Sequence, residues 1–166
     1  MTTNEAMQLA ILEAYKGWGH TQPNPMVGCV ILDRHHNLIS AGYHQKYGSD
    51  HAEINAIRKL KKKELLDGAH LYVTLEPCAH VGKTPPCAHT LSVLPLGSVT
   101  YGLTDPNPLV AGRGVKILKA AGIRTVEYDG DTSEISELIE VHTHNMKTKL
   151  PFVTLKVGAS LDGQMA

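Results

Sequence analysis

Neither sign of charge dominates this chain: its 166 residues carry 16 Lys and Arg against 16 Asp and Glu. That balance argues against a nucleic-acid partner, which ordinarily shows as a basic excess or stripe. The local run Lys59, Lys61, Lys62 and Lys63 is better explained as a solvated helix end than as a phosphate site. Long apolar runs are missing too. No stretch approaches the ~18 apolar residues of a membrane span. The opening segment is amphipathic and lacks the basic start of a secretory signal. Cysteine is scarce and odd in number, with Cys29, Cys78 and Cys87 alone. That count suits a metal in a reducing compartment, the cytoplasm, and not a disulfide frame. There is no internal repeat, because the Pro-Asn-Pro shared by 23–25 and 106–108 is too short to be one. What remains is a soluble globular chain, 42% apolar and 19% charged, long enough to bury a core.

Hydrophobic spacing orders the elements. Met7, Ala10, Ile11 and Ala14 share one face of a helix that ends at Gly17 and Gly19. Val27 to Asp33 and Asn37 to His44 form a hairpin, with Cys29 a buried strand residue. A helix starts at His51, with Asp50 as its N-cap, and runs to about Lys63. Leu71 to Leu75 is a short strand that delivers Glu76-Pro77-Cys78. Pro86 opens a helix over Cys87 to Leu94. Strands over Ser98 to Leu103 and Ile123 to Tyr128 flank a helix from Gly114 to Ala121, which Gly122 stops. A further helix starts at Ser133 and runs to about Asn145. Pro151 opens a last strand, Phe152 to Val157. A hairpin followed by alternating helices and strands predicts a mixed sheet with helices on both faces, in the α/β class.

The chemistry concentrates in His51-Ala52-Glu53, Pro77-Cys78 and Cys87. One imidazole and two thiols can hold zinc with a fourth position open to water. Zinc lowers the pKa of such a water toward ~7, and Glu53, two residues from the histidine, is free to move protons. Zinc deaminases carry H-x-E followed by P-C-x-x-C; here Ala79 to Pro86 separates the cysteines instead. Helix starts at His51 and Cys87 favour thiolate and hydroxide. A closed structural zinc site, with His80 or His89 as fourth ligand, is the competing reading, and it leaves Glu53 without a role. Asn24, rigid between Pro23 and Pro25, suits a base-reading amide or an ordinary turn. His44 lies either beside the site or on the surface. Lys83 and Thr84 either meet an anion or face solvent. Asp105-Pro106-Asn107-Pro108 follows a strand end, where ligands of open α/β sheets bind. Gly112-Arg113-Gly114 is a weak phosphate signal beside the simpler reading of a loop.

Together these residues resemble the pyrimidine deaminase of riboflavin biosynthesis. The match runs through Thr21-x-Pro23-Asn24-Pro25-x-Val27-Gly28, Gly42-Tyr43-His44 and His51-Ala52-Glu53. It continues through Glu76-Pro77-Cys78-Ala79-His80-x-Gly82-Lys83-Thr84-Pro85-Pro86-Cys87 and Asp105-Pro106-Asn107-Pro108 with Gly112-Arg113-Gly114. It is dense over residues 5 to 130. Lys83 stands where arginine is common, and Ala79 where serine is common.

The resemblance implies a cytidine deaminase-like α/β/α sandwich and one zinc held by His51, Cys78 and Cys87, with Glu53 as the catalytic acid–base. It implies a small-molecule partner, 2,5-diamino-6-ribosylamino-4(3H)-pyrimidinone 5′-phosphate, contacted by Asn24, His44, His80, Lys83, Thr84, Asp105 and Asn107. It implies neither nucleic acid nor membrane, and it leaves a homo-oligomer open. Relatives in this family usually add an NADPH-dependent reductase. Phe152-Val153-Thr154-Leu155-Lys156-x-Gly158 resembles its first strand, with Gly158 approaching NADP. The expected division is therefore a deaminase domain over 1–148 and, over 149–166, a linker with the first strand of a truncated reductase. A deaminase of another base, or a zinc-binding module without catalysis, are the competing functions.

Overall fold

The computed structural model describes residues 1–80, 82, 85–108 and 110–165. Among these residues five strands form one sheet: β1 (Gly28–Leu32), β2 (Leu38–Tyr43), β3 (Ala69–Leu75), β4 (Leu96–Leu103) and β5 (Arg124–Glu127), in the order β2-β1-β3-β4-β5. The β1–β2 hairpin is antiparallel, β1 also pairs antiparallel with β3, and β3–β4–β5 are parallel. The sheet is mixed, as the order of elements in the sequence implies.

Among the described residues, six α-helices complete the fold: α1 (Thr3–Tyr15), α2 (Ala52–Arg58), α3 (Cys87–Ser92), α4 (Arg113–Ala120), α5 (Ser133–Leu138) and α6 (Glu140–Thr148). Side chains alternate across each strand, so one strand feeds two cores. Cys29 and Ile31 of β1 join Leu71 and Val73 of β3 under Ala52 and Ala56 of α2, Leu91 of α3 and Leu118 of α4. Val30 and Leu32 turn to the opposite face, with Tyr72, against Met7, Ala10, Ile11 and Ala14 of α1 and Ile135 and Leu138 of α5. Every residue of β1 is buried, which is why its sequence is a continuous apolar run. The result is a three-layer α/β/α sandwich.

Several expectations need correction. His51, not Asp50, occupies the N-cap of α2. Asp50 instead pairs with Arg58 in the last turn of the same helix. That helix stops at Arg58, and Lys63–Leu66 is a separate 3-10 turn. The helix expected from Ser133 is broken at Ile139 into α5 and α6. No strand forms over 152–157. Those residues are exposed and unpaired, and beyond them Ala159 and Met165 make one isolated bridge. A strand exists only where a neighbour takes up its backbone groups, and none lies alongside.

Two packing constraints aim this scaffold. α1 begins with a capping box, in which Thr2 Oγ1 accepts the Glu5 N–H and the Glu5 carboxylate accepts that of Thr2. α2 lies against β2 at Gly42, where an added Cβ would sit 2.4 Å from the Ala56 nitrogen and 2.8 Å from the Ala52 oxygen. Only a residue without a side chain lets the helix approach that closely. Gly42→Ala must therefore push α2 off the sheet. We expect it to lower stability by roughly 1–3 kcal/mol, the usual scale of overpacking, with a lower urea midpoint. An unchanged midpoint would show that this contact does not set the position of α2.

Candidate active site

The carboxyl ends of the parallel strands, together with the start of β1 and the end of β2, meet at one edge of the sheet. β3 ends at Leu75 and hands over to Glu76-Pro77-Cys78; β4 ends at Leu103 and hands over to Asp105 and Asn107. β1 runs antiparallel to β3, so the turn before it, with Asn24, reaches the same edge. α2 and α3 begin there, bringing in His51 and Cys87. This is where ligands of α/β sheets bind.

His51 Nδ1 lies 3.4 Å from the Sγ of Cys78 and 3.4 Å from the Sγ of Cys87. These are the only three His, Cys, Asp or Glu donors among the described residues whose ligand atoms lie within 4.8 Å of one another in one group. The Cys87 N–H points at Cys78 Sγ, 3.4 Å away. Hydrogen bonds from Cys87 and His51 hold the Cys78 thiol low, at about 4, and the same pairing pushes Cys87 up. A bound metal ion would deprotonate both sulfurs. An N,S,S set of this size fits zinc, whose usual bond lengths are about 2.0–2.3 Å. His80 and His89 are exposed and outside the group, so neither closes a fourth position. Glu53, 3% exposed, faces the same cavity from the first turn of α2. Burial, followed by the nearby Cys78 sulfur, pushes its carboxyl up to about 7.

His51, Glu53 and Cys78 line a cavity of about 520 Å³, with Cys87 behind Cys78 and His51. Asn24, His44, His80, Asp105 and Asn107 also line it, so the structure brings these five sequence candidates together. Lys83 and Thr84 lie outside the described residues. Gly158 sits in the exposed terminal segment, away from this cavity, with nothing within 4 Å of an added Cβ. Asn24 Nδ2 is 3.1 Å from His44 Nε2, and His44 Nδ1 is 3.0 Å from the Asp50 carbonyl. The carbonyl requires a donor, so His44 Nδ1 carries the proton and Nε2 accepts from the Asn24 amide. That fixes the amide with its NH₂ toward His44. Burial lowers the His44 pKa, which favours this neutral ring.

Sequence reasoning missed three features. Tyr47 and Ser49 line the cavity from the loop after β2, and His142 and Met146 line it from α6. The four-residue spacing of the α6 pair was the available signal, but nothing in the sequence told which face turns inward. Glu76 is the third. Its carboxylate accepts the N–H groups of Asp105 at 3.3 Å, Gly112 at 2.9 Å and Val115 at 3.3 Å. The Gly112-Arg113-Gly114 turn, a weak phosphate candidate from sequence, is therefore already occupied by an anion of the protein itself. Gly114 is needed for closeness, since a Cβ there would lie 1.9 Å from the Pro77 oxygen.

The comparisons with known proteins fit this geometry. Residues 1–103 match the family model described as the cytidine and deoxycytidylate deaminase zinc-binding region. The chain belongs to this deaminase family. It is 46% identical over 160 residues to the riboflavin biosynthesis protein RibD of Bacillus amyloliquefaciens, covering 96% of this chain and 42% of that protein. The solved RibD of Acinetobacter baumannii superposes with a TM-score of 0.88 at 46% identity, over 95% of this chain and 43% of that one. The diaminohydroxyphosphoribosylaminopyrimidine deaminase/5-amino-6-(5-phosphoribosylamino)uracil reductase of Thermotoga maritima superposes at 0.85 with 40% identity, over 95% and 45%. The chain thus spans less than half the length of these relatives.

The anchoring role of Glu76 is directly testable. Glu76→Ala strips three backbone donors of their partner in a buried setting, at ~1–3 kcal/mol for each group left unpaired. We expect a loss of roughly 3 kcal/mol or more in urea unfolding, with Glu76→Gln intermediate because its amide oxygen still accepts. A loss under about 1 kcal/mol for Glu76→Ala would mean that the loop stands without this carboxylate.

Proposed function

We propose that this chain is a zinc-dependent deaminase that hydrolyses the amino group of a diaminohydroxyphosphoribosylaminopyrimidine, in riboflavin biosynthesis. The observation that carries this reading is the cluster of His51, Cys78 and Cys87 at the wall of a cavity that His51, Cys78 and the buried Glu53 line. A closed structural site would have no use for a buried carboxyl there that is outside the ligand group. RibD relatives at this level of identity direct the reading to a phosphoribosylated pyrimidine in preference to cytidine or a nucleic acid. Zinc, when bound, supplies a water acidic enough to attack at neutral pH.

The chain's own residues do the rest. His51, Cys78 and Cys87 would hold the metal. Glu53 takes a proton from the attacking water and passes it to the ring nitrogen. It then moves the second proton to the departing amine, so the C–N bond is exchanged for C=O and ammonia leaves. Asn24, locked by His44, presents its carbonyl oxygen to N–H groups on the pyrimidinone edge. Asp105 and Asn107 serve the sugar end, with His80 at the cavity mouth. Lys83 and Thr84, in the long cysteine loop, are assigned to the phosphate. Residues 149–166 belong, in this reading, to a linker and the first strand of an NADPH-dependent reductase unit, with Gly158 near the dinucleotide.

Two measurements test the proposal. The purified chain should carry about one zinc, and His51→Ala or Cys87→Ser should lose it; full zinc content in both variants would remove the ligand assignment. Zinc-loaded Glu53→Gln should fall by at least the ~10²–10⁴-fold that a general acid–base contributes. In the same ammonia-release assay the 5′-phosphorylated pyrimidine should be preferred over its dephosphorylated form, and cytidine refused. Equal turnover of cytidine would reject the substrate while leaving the metal chemistry standing.

A further inference from the structure

α6 lies wholly beyond the residues that match the deaminase family model, which end at 103. It nonetheless walls the cavity. His142 and Met146, four residues apart, share the face that looks inward. The His142 side chain is only 14% exposed, and its Nε2 is buried with no hydrogen-bond partner. That nitrogen stands 3.5 Å from Oδ1 of Asp105, whose own side chain is 11% exposed. The separation is outside the ~2.7–3.2 Å of a good hydrogen bond, but a small movement would close it. Asp105 Oδ1 already accepts the Asn107 N–H at 2.8 Å. Among the described residues, the other oxygen of Asp105 takes no hydrogen bond.

We propose that His142 is a positioning residue for substrate. Its ring N–H closes onto Asp105 Oδ1 when substrate binds and fixes the carboxylate with Oδ2 directed at a hydroxyl or N–H donor of the ribosylamino part. Three facts converge on this. A buried ring nitrogen is left without a partner, and a carboxylate on the same cavity wall stands 3.5 Å away. Functional hydrogen bonds are often long without ligand and tighten in the complex. His142 also sits on a helix that buries no residue of its own, so a shift of this size disturbs no packed core. α6 thereby becomes part of the binding site, though it supplies nothing to the metal. This inference rests on the substrate reading given above.

The test uses the zinc-loaded chain and the phosphoribosylated pyrimidine. His142→Leu keeps the bulk and removes the donor. It should raise KM roughly tenfold, the scale of one charge-assisted hydrogen bond, with kcat within about twofold and zinc content unchanged. His142→Gln places an N–H near the position of Nε2 and should recover most of the loss. In an Asp105→Asn background, His142→Leu should add little further, since the pair acts as one unit. An unchanged KM in His142→Leu overturns the inference. So does a loss that falls on kcat, that Gln fails to rescue, or that adds in full to that of Asp105→Asn. If the unsubstituted zinc-loaded chain does not turn over this substrate, the functional reading fails and this inference falls with it. Turnover by that chain with an indifferent His142→Leu rejects this inference alone.

Discussion

One buried carboxylate holds the catalytic edge of this protein together. Glu76 follows β3 directly, and its side chain gathers the backbone N–H groups of Asp105, Gly112 and Val115. Its own N–H donates to the Leu103 carbonyl at the end of β4. Two strand ends, the loop between β4 and α4 and the first turn of α4 are thereby tied to one residue. The anion sits where the α4 dipole favours it. Cys78 follows two residues later, and Asp105 is pinned directly, so the metal cluster and the far wall of the cavity take their spacing from this contact. The close passage of Gly114 over the Pro77 oxygen belongs to the same arrangement.

Around that anchor the site is polarised into two ends. At the metal end, His51, Cys78 and Cys87 converge on a point that the helix starts of α2 and α3 also face, and Glu53 is buried beside them. Burial discourages charge on Glu53, and the neighbouring Cys78 sulfur adds to this, so it holds its proton more tightly than an exposed carboxyl and can both take and give one near neutral pH. At the other end the groups are hydrogen-bonding: Asn24 with His44 and Asp105 with the Asn107 N–H, while His142 Nε2 stands 3.5 Å from Asp105 without a hydrogen bond. In the proposed reading, one end serves bond breaking and the other recognition, and a pyrimidine joined to a sugar phosphate would span both. The resemblance to RibD proteins extends over nearly the whole chain, yet less than half of each relative is represented.

The legible parts of the sequence were those set by local rules. The all-apolar β1 announced a strand covered on both faces, and the Gly122 stop after α4 came from a left-handed residue that only glycine adopts easily. The His51, Cys78 and Cys87 cluster, a candidate metal set, was legible because ligand chemistry demands specific residue types, whatever their spacing along the chain. Helix ends were less so. Asp50 looked like a cap for α2, but its carboxylate found Arg58 across two turns, and the backbone gave the N-cap to His51. The strand expected over 152–157 has the right residues and no partner, and propensity cannot supply a neighbour.

By itself, then, the sequence determined the chemistry of the cluster, the α/β class and the alternation that splits the apolar residues between two cores. These follow from residue type and from periods of 2 and about 3.6, which are properties of the chain alone. The tertiary structure alone decided that Glu76 is an anchor and not an acid, that the glycine turn before α4 is filled by that anchor, and that His142 and Met146 face the cavity. Each of these depends on which distant backbone or side chain lies within a few ångströms. Such proximity arises from the packing of helices on a twisted sheet and leaves no trace in local spacing.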